Sequence, residues 1–166
     1  MNIKVTKLHP KLGAEIRGLD IAQPLSEDII KAIKQTFLDH SVIILRGQTL
    51  SPQRQIEFTK IFGQPDIHPL EQFHLAGHPE ILVLSNRKNK HGDPVGLEDA
   101  GQYWHTDVSF TPKPSTGSLL YALNVPPKGG DTLFAGQYAA WDTLPTEWKD
   151  KLKGLKAFHG LNRTTA

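Results

Sequence analysis

The sequence has no cysteine, and this absence excludes both disulfide bonds and metal sites built on thiolates. It has no apolar run approaching the ~20 residues of a membrane-spanning helix, and residues 1–11 lack the apolar stretch of a signal peptide. The formal net charge is only +2, and the lysines are scattered instead of forming a basic run interleaved with aromatic residues. These absences predict a cytoplasmic protein that binds neither membranes nor nucleic acid. They leave His, Asp and Glu as the side chains that could hold a metal.

The length of the chain, 166 residues, suits one domain with a sizeable core. Hydrophobic residues make up 38% and charged residues 22%, which is ordinary for a globular protein. No repeat, low-complexity segment or linker interrupts the sequence, so we expect residues 1–166 to belong to a single domain. Nothing in the sequence fixes the oligomeric state, and a homo-oligomer stays open.

The first half of the chain is predicted to alternate strands and helices. Apolar residues spaced by two predict strands, and apolar residues spaced by three and four predict helices. Ser26 is a typical N-cap residue, and Ser51-Pro52 is a typical helix start. The predicted elements are strands at residues 3–8, 13–18, 41–45 (buried) and 80–85, and helices at residues 26–40 and 51–63.

The second half is predicted to contain several strands after a long polar loop at residues 86–102. Loops of this length in compact domains are usually functional or mobile. The elements predicted after the loop are strands at residues 104–110 and 118–123, a turn at 126–130, extended structure at 131–134, and helical structure at 137–153 with Pro145 at a helix start. This order indicates an α+β fold, with a β-sheet core and flanking helices.

The segment WHTDVSF, residues 104–110, sets an imidazole and a carboxylate inside an apolar frame. If the segment is a strand, His105 and Asp107 point to the same face with Cα atoms roughly 6.6 Å apart. That spacing suits two ligands of one metal ion, with bonds of about 2.0–2.2 Å. It equally suits a structural His–Asp hydrogen bond, because a buried carboxylate without a partner is costly.

Other candidate residues carry less information by themselves. The chain holds a second His-x-Asp pair, His91 and Asp93, which lies in the polar loop and is best interpreted as a solvated turn. His68 lies between Ile67 and Pro69 and could be a surface histidine of a loop. Thr132 follows a Gly-Gly turn and could be an ordinary strand threonine.

Five short segments are more informative as a set than individually. In chain order they are LRGQ (45–48), FG (62–63), IHP (67–69), WHTD (104–107) and PPKGGDT (126–132). This order and spacing resembles the taurine/α-ketoglutarate dioxygenase family, over nearly the whole chain. The resemblance implies a double-stranded β-helix, a jelly-roll-like core, with helices packed outside. It also implies an enzyme that uses Fe(II), 2-oxoglutarate as cosubstrate and O2 to oxidise a small organic acid or sulfonate, releasing succinate and CO2.

The resemblance also assigns roles to individual residues. His105 is implied to be the first histidine ligand of the metal, and Asp107 the carboxylate ligand. Thr132 is implied to hydrogen-bond the distal carboxylate of 2-oxoglutarate, and His68 to contact the substrate. Two positions depart from taurine dioxygenase and argue against taurine as the substrate: Glu71 replaces an aromatic hydroxyl, and Gly101 replaces an asparagine.

The family's second histidine ligand and its 2-oxoglutarate-binding arginine are expected far downstream of Thr132, and Arg163 is too early to be that arginine. The sequence therefore predicts the N-terminal part of a dioxygenase domain, incomplete at its C-terminus and inactive as 166 residues alone. One alternative is a non-catalytic β-helix protein that serves binding or assembly. Another is a metal-dependent hydrolase of cupin-like shape that uses the same His and Asp.

Overall fold

The chain is organised as two compact units, each assembled from two stretches of sequence. The first unit comprises the residues up to Thr49 together with Ala122–Ala157, and the second comprises Leu50–Tyr121 together with the residues from Phe158 onward. The computed structural model describes residues 3–98 and 100–160. Within these ranges, no helix has both the length and the apolar character needed to cross a membrane. The single domain over residues 1–166 stays a prediction.

A three-stranded sheet forms the centre of the first unit. Strands β1 (Lys4–Lys7) and β2 (Ala14–Arg17) pair antiparallel, and β3 (Ile43–Ile44) pairs parallel to β2, which therefore lies in the middle. All of β2 except Arg17 is buried. The strands predicted at residues 3–8 and 13–18 are confirmed. The predicted strand at 41–45 is real but covers only two residues, and these are half-buried, not buried.

Helix α1 (Glu27–His40) connects β2 to β3, as a parallel pair of strands requires. Its boundaries follow the predicted ones because both ends are set locally. The Ser26 hydroxyl caps the first turn by accepting the amide of Ile29, and Ser41 ends the helix in the left-handed region with φ of 61°. Ile33 is fully buried and anchors the apolar face of the helix.

The second unit contains α2 (Pro52–Thr59), a short 3-10 helix (Glu71–Phe73), and the antiparallel strands β4 (His74–Leu75) and β5 (His78–Leu82). Helix α2 packs against β5 and buries Ile56 and Phe58. It ends at Thr59 instead of extending to Gly63, because residues 60–63 turn away from helical geometry. The strand predicted at 80–85 is shifted toward the N-terminus, and only an isolated bridge from Leu84 to Leu97 continues it.

The strands predicted at residues 104–110 and 118–123 and the extended segment at 131–134 are not paired strands in the structure. Residues 107–110 form a turn, in which the amide of Thr111 donates to the carbonyl of Val108 at 3.1 Å. Val108 has a φ of 54°, which is incompatible with a strand. Apolar alternation predicts a strand only where another strand accepts its backbone hydrogen bonds, and none of the described residues does so here. The double-stranded β-helix therefore stays a prediction.

The helical structure predicted at residues 137–153 is confirmed as two helices, α3 (Gln137–Thr143) and α4 (Thr146–Leu152). Pro145 is the N-cap of α4, as expected for a residue that cannot continue α3. Neither helix contains a buried residue. Among its described residues, the loop predicted at 86–102 contains only isolated bridges, so that prediction is confirmed.

Candidate metal centre

The side chains of His105 and Asp107 meet in the second unit. Nε2 of His105 lies 3.1 Å from Oδ1 of Asp107, and both side chains are about half exposed, at 49% and 51%. A turn brings them together, not the strand that the sequence predicts. The convergence of the two side chains is thus found, although its predicted cause is wrong.

The orientation of the His105 ring is fixed by the backbone of Tyr103. Nδ1 lies 2.7 Å from the Tyr103 carbonyl oxygen, which can only accept, so Nδ1 carries the hydrogen. The neutral ring then presents an unprotonated Nε2 to a carboxylate oxygen, and two acceptors face each other. Either a proton on Nε2 or a cation bound by both groups resolves this arrangement. Metal-binding histidines characteristically donate their other ring N–H to a carbonyl or a carboxylate.

The two oxygens of the Asp107 carboxylate have different partners. Oδ1 faces His105, whereas Oδ2 accepts a hydrogen bond from the hydroxyl of Ser118. Sequence reasoning missed Ser118 because it lies 11 residues downstream and belongs to none of the family motifs. No local pattern could have revealed it, since the contact depends on how the chain folds back.

The chemistry of these donors fits Fe(II), the metal implied by the resemblance to the dioxygenase family. One imidazole nitrogen and one carboxylate oxygen are two of the three protein ligands in the two-histidine, one-carboxylate sites of Fe(II) oxygenases. Over residues 3–98 and 100–160, no group of three His, Cys, Asp or Glu side chains is positioned to hold a metal ion. Among the described residues the pair therefore offers two possible metal donors. Arg163, which the sequence analysis considered as a candidate arginine, lies outside the described residues.

The second His-x-Asp pair is held in a solvated turn, as predicted. The side-chain oxygen of Asn89 accepts the amides of His91 at 2.8 Å and Asp93 at 3.0 Å. The side-chain amide of Asn89 also donates to the Asp93 carboxylate at 3.0 Å. Both residues are exposed, and the Asp93 carboxylate is engaged within the turn itself.

His68 is half-buried and is oriented by its own loop. The amide of Leu70 donates to Nδ1 of His68 at 3.2 Å, so the neutral ring carries its hydrogen on Nε2. The ring of His74 donates to the His68 carbonyl at 2.7 Å and fixes the backbone at this position. His68 therefore has the opposite tautomer to His105 and presents an N–H donor, the group that binds an anionic oxygen.

Thr132 belongs to the first unit, whereas His105 and Asp107 belong to the second. It lines a cavity of about 570 Å³ between the β1–β2 connection and α3, whose lining is mainly apolar and also includes His9, Lys11 and Thr143. The role of Thr132 toward 2-oxoglutarate stays a prediction.

The two positions that depart from taurine dioxygenase have clear structural settings. Glu71 opens the 3-10 helix and is exposed. Gly101 has a φ of 79°, and a Cβ atom built on it would lie 3.8 Å from Cε1 of His105. The space beside the imidazole is therefore open where the family places an amide side chain.

The LRGQ segment has a structural role in the first unit. The Glu15 side chain is only 7% exposed, and its carboxylate pairs with Arg17 at 3.0 Å and Arg46 at 3.3 Å. The hydrogen bond from Arg17, with the charges of both arginines, holds the pKa of Glu15 below its ordinary value despite the opposing effect of burial. Gln48 accepts the amide of Ile21 and donates to the Leu19 carbonyl, which ties this segment to the chain after β2.

Comparison with known proteins agrees with the resemblance drawn from the five segments. Residues 4–166 match the family model described as taurine catabolism dioxygenase TauD, TfdA family. The α-ketoglutarate-dependent 2,4-dichlorophenoxyacetate dioxygenase of Cupriavidus pinatubonensis is 32% identical over 173 residues, covering 96% of this chain and 58% of that protein. The α-ketoglutarate-dependent sulfate ester dioxygenase of Pseudomonas putida is 33% identical over 156 residues, covering 92% of this chain and 48% of that protein.

Among solved structures, AAD-2 in complex with Mn(II) and N-oxalylglycine matches with a TM-score of 0.68 and 26% identity, covering 91% of this chain and 49% of that one. The chain spans about half the length of the curated relatives it matches. The family model nevertheless matches almost every residue of the chain. The chain therefore belongs to the TauD/TfdA family of dioxygenases.

Proposed function

We propose that this protein is an Fe(II)- and 2-oxoglutarate-dependent dioxygenase that oxidises a small organic acid, sulfonate or sulfate ester and releases succinate and CO2. The observation that carries the proposal is the His105–Asp107 pair, with Nδ1 of His105 committed to the Tyr103 carbonyl. Residues 1–166 would form part of one dioxygenase domain with a double-stranded β-helix core. The match to the AAD-2 structure supports that core.

His105 and Asp107 are the residues that would hold the metal, through Nε2 and Oδ1. When bound, Fe(II) supplies the site at which 2-oxoglutarate and O2 are activated. The protein's contribution is to hold the ligands in place. The Tyr103 carbonyl directs Nδ1 of His105 away from the metal position and leaves Nε2 to bind, and the Asp107 carboxylate would offset part of the metal charge.

The cosubstrate and the substrate are both expected to be anions. The Thr132 hydroxyl would donate a hydrogen bond to the distal carboxylate of 2-oxoglutarate. The Nε2 hydrogen of His68 would bind the carboxylate, sulfonate or sulfate of the substrate, because its tautomer makes this nitrogen a donor. Two relatives are named for 2,4-dichlorophenoxyacetate and for sulfate esters, and both of these compounds are anions at neutral pH.

The test of this function is coupled turnover. A protein that includes the second histidine and the arginine expected downstream is loaded with Fe(II) and 2-oxoglutarate without oxygen. It is then exposed to air with candidate acids, while O2 consumption and succinate release are both recorded. We expect equal molar amounts of O2 consumed and succinate formed. Asp107→Ala should abolish both signals, whereas the matched variant Asp93→Ala, in the other His-x-Asp pair, should leave them unchanged.

Turnover that survives Asp107→Ala would contradict the proposed metal site. Ligand binding without O2 consumption would favour a non-catalytic binding protein. Hydrolysis of a candidate substrate without O2 consumption would favour a metal-dependent hydrolase.

A further inference from the structure

The hydroxyl of Ser118 donates to Oδ2 of Asp107, the oxygen that does not face His105. We infer that Ser118 is a positioning residue of the metal centre, which holds the Asp107 carboxylate so that Oδ1 alone acts as the metal ligand. This inference rests on the proposed function, because it takes Asp107 to be a metal ligand.

The carboxylate needs such a partner because the backbone around it does little to orient it. Asp107 lies in a turn, is about half exposed, and has no neighbouring strand among the described residues. The last torsion of an aspartate side chain is broad and nearly two-fold, so the two oxygens of a free carboxylate exchange easily. A hydrogen bond to Oδ2 makes the two oxygens different and leaves Oδ1 directed at His105.

Ser118 can orient the Asp107 carboxylate because hydrogen bonds hold its segment on both sides. Three residues before it, the hydroxyl of Ser115 donates to the Asp66 carboxylate at 2.8 Å. Three residues after it, the hydroxyl of Tyr121 accepts the amide of Leu50 at 3.1 Å. The segment is thus held in place without belonging to a sheet, and its position determines where Asp107 points.

Hydrogen bonds to ligating carboxylates contribute to metal affinity, and their loss typically costs about 10–100-fold. Ser118 is exposed, so water can replace part of its hydrogen bond, and we expect the lower end of that range. The expected change is a loss of about tenfold in metal affinity. A second change is expected in the binding mode, because a carboxylate released from Ser118 can offer both of its oxygens.

The experiment compares Ser118→Thr with Ser118→Val, two side chains of the same shape that differ in the hydroxyl. Mn(II) affinity is measured by calorimetry on the 166-residue chain. The infrared spectrum of the bound carboxylate is also recorded, since a monodentate carboxylate separates its two stretching bands more widely than a bidentate one. Ser85→Ala is the control, because it removes a serine hydroxyl in the same unit whose partner is the backbone amide of Arg87 and not Asp107.

We expect Ser118→Thr to bind Mn(II) like the unchanged chain, and Ser118→Val to bind about tenfold more weakly with a narrower band separation. Equal affinities for the Thr and Val variants, or an equal loss in Ser85→Ala, would overturn the inference. If the unchanged chain binds Mn(II), Asp107→Ala does not, and Ser118→Val binds normally, only the inference fails. If Asp107→Ala binds as tightly as the unchanged chain, the proposed metal site fails as well.

Discussion

Tyr103 fixes the tautomer of His105 through a 2.7 Å hydrogen bond from Nδ1 to the backbone carbonyl of Tyr103. The bond joins residues only two positions apart, so it depends on the local backbone conformation of residues 103–105 and not on distant parts of the chain. It leaves Nε2 of the neutral ring unprotonated and facing Asp107, which is the state that a metal ligand requires.

The tautomers of two histidines can be measured directly. We expect the His105 ring to carry a hydrogen on Nδ1, the nitrogen that faces the Tyr103 carbonyl oxygen. His68 should carry its hydrogen on Nε2, because the Leu70 amide donates to its Nδ1. Long-range proton–nitrogen correlation spectra distinguish the two forms. The same tautomer at both positions would contradict one of the two assignments.

The pairing of Glu15 with two arginines predicts a specific dependence of stability on pH. Because the folded-state pKa of Glu15 is lowered, chiefly by the Arg17 hydrogen bond, its ionised form stabilises the fold at neutral pH. That contribution is fully present above the pKa of an unfolded-chain glutamate, about 4.3, and is lost as the pH falls through the lower folded-state value. Glu15→Gln should therefore be less stable than the unchanged chain at pH 7.

The measurement for Glu15→Gln is urea unfolding at neutral and strongly acidic pH, and the difference from the unchanged chain should shrink in acid. The control is Asp28→Asn, which removes a largely exposed ion pair with Lys31. Pairs of this kind contribute about 0–1 kcal/mol, so little change is expected at either pH. A Glu15→Gln deficit that stays constant with pH would show that packing, not charge, is responsible.

Removal of the Thr132 hydroxyl should weaken 2-oxoglutarate binding. We expect Thr132→Val to reduce the affinity of the metal-loaded protein by about 0.5–1.5 kcal/mol, or up to ~3 kcal/mol for a charge-assisted bond. Binding calorimetry measures this difference in 2-oxoglutarate affinity. The control is Thr143→Val, since Thr143 lines the same cavity but donates its hydroxyl to the Ala139 carbonyl at 2.8 Å. An equal loss in both variants would argue for a general effect on the cavity.

His68 is expected to act on substrate affinity. His68→Phe keeps a ring but removes the N–H donor, and one hydrogen bond to a charged group is worth about 1.5–3 kcal/mol. We expect KM for an aryloxyacetate or alkyl sulfate to rise by more than about tenfold, with a smaller change in kcat. A normal KM in His68→Phe would remove His68 from the substrate site.

Taurine should be a poor substrate. Glu71 places a negative charge where taurine dioxygenase has a neutral hydroxyl, and like charges repel within a Debye length of about 8–10 Å. Glu71 also lacks the aromatic hydroxyl that taurine dioxygenase offers at this position. We expect a low kcat/KM for taurine, and Glu71→Tyr, which restores that hydroxyl and removes the charge, should raise it. Taurine turnover as efficient as that of an aryloxyacetate or alkyl sulfate would contradict this prediction.

The elements predicted correctly are those whose signals are local. Helix α1 was predictable because Ser26 caps one end and its apolar residues repeat at helical spacing. Strands β1 and β2 were predictable because two alternating segments are separated by a short turn. The antiparallel pairing follows almost directly from that arrangement.

The predictions that fail depend on partners far away in the sequence. The WHTDVSF segment has the apolar alternation of a strand, but none of the described residues pairs with it, and it turns at residues 107–110. The role of Ser118 was likewise hidden, because its contact with Asp107 depends on a fold that brings residues 11 positions apart together. The motif predicted that His105 and Asp107 converge, whereas the contact between Asp107 and Ser118 is visible only in the structure.

The left-handed backbone of Val108 has a consequence for how this centre can be engineered. β-Branched side chains are disfavoured at a φ of 54°, and such conformations cost about 1–3 kcal/mol each. Selection for thermal stability alone would favour Gly or Asn at this position. Engineering for stability would therefore favour a substitution at Val108, the residue next to Asp107. Such a substitution would relax the backbone there and could change the orientation of the Asp107 carboxylate.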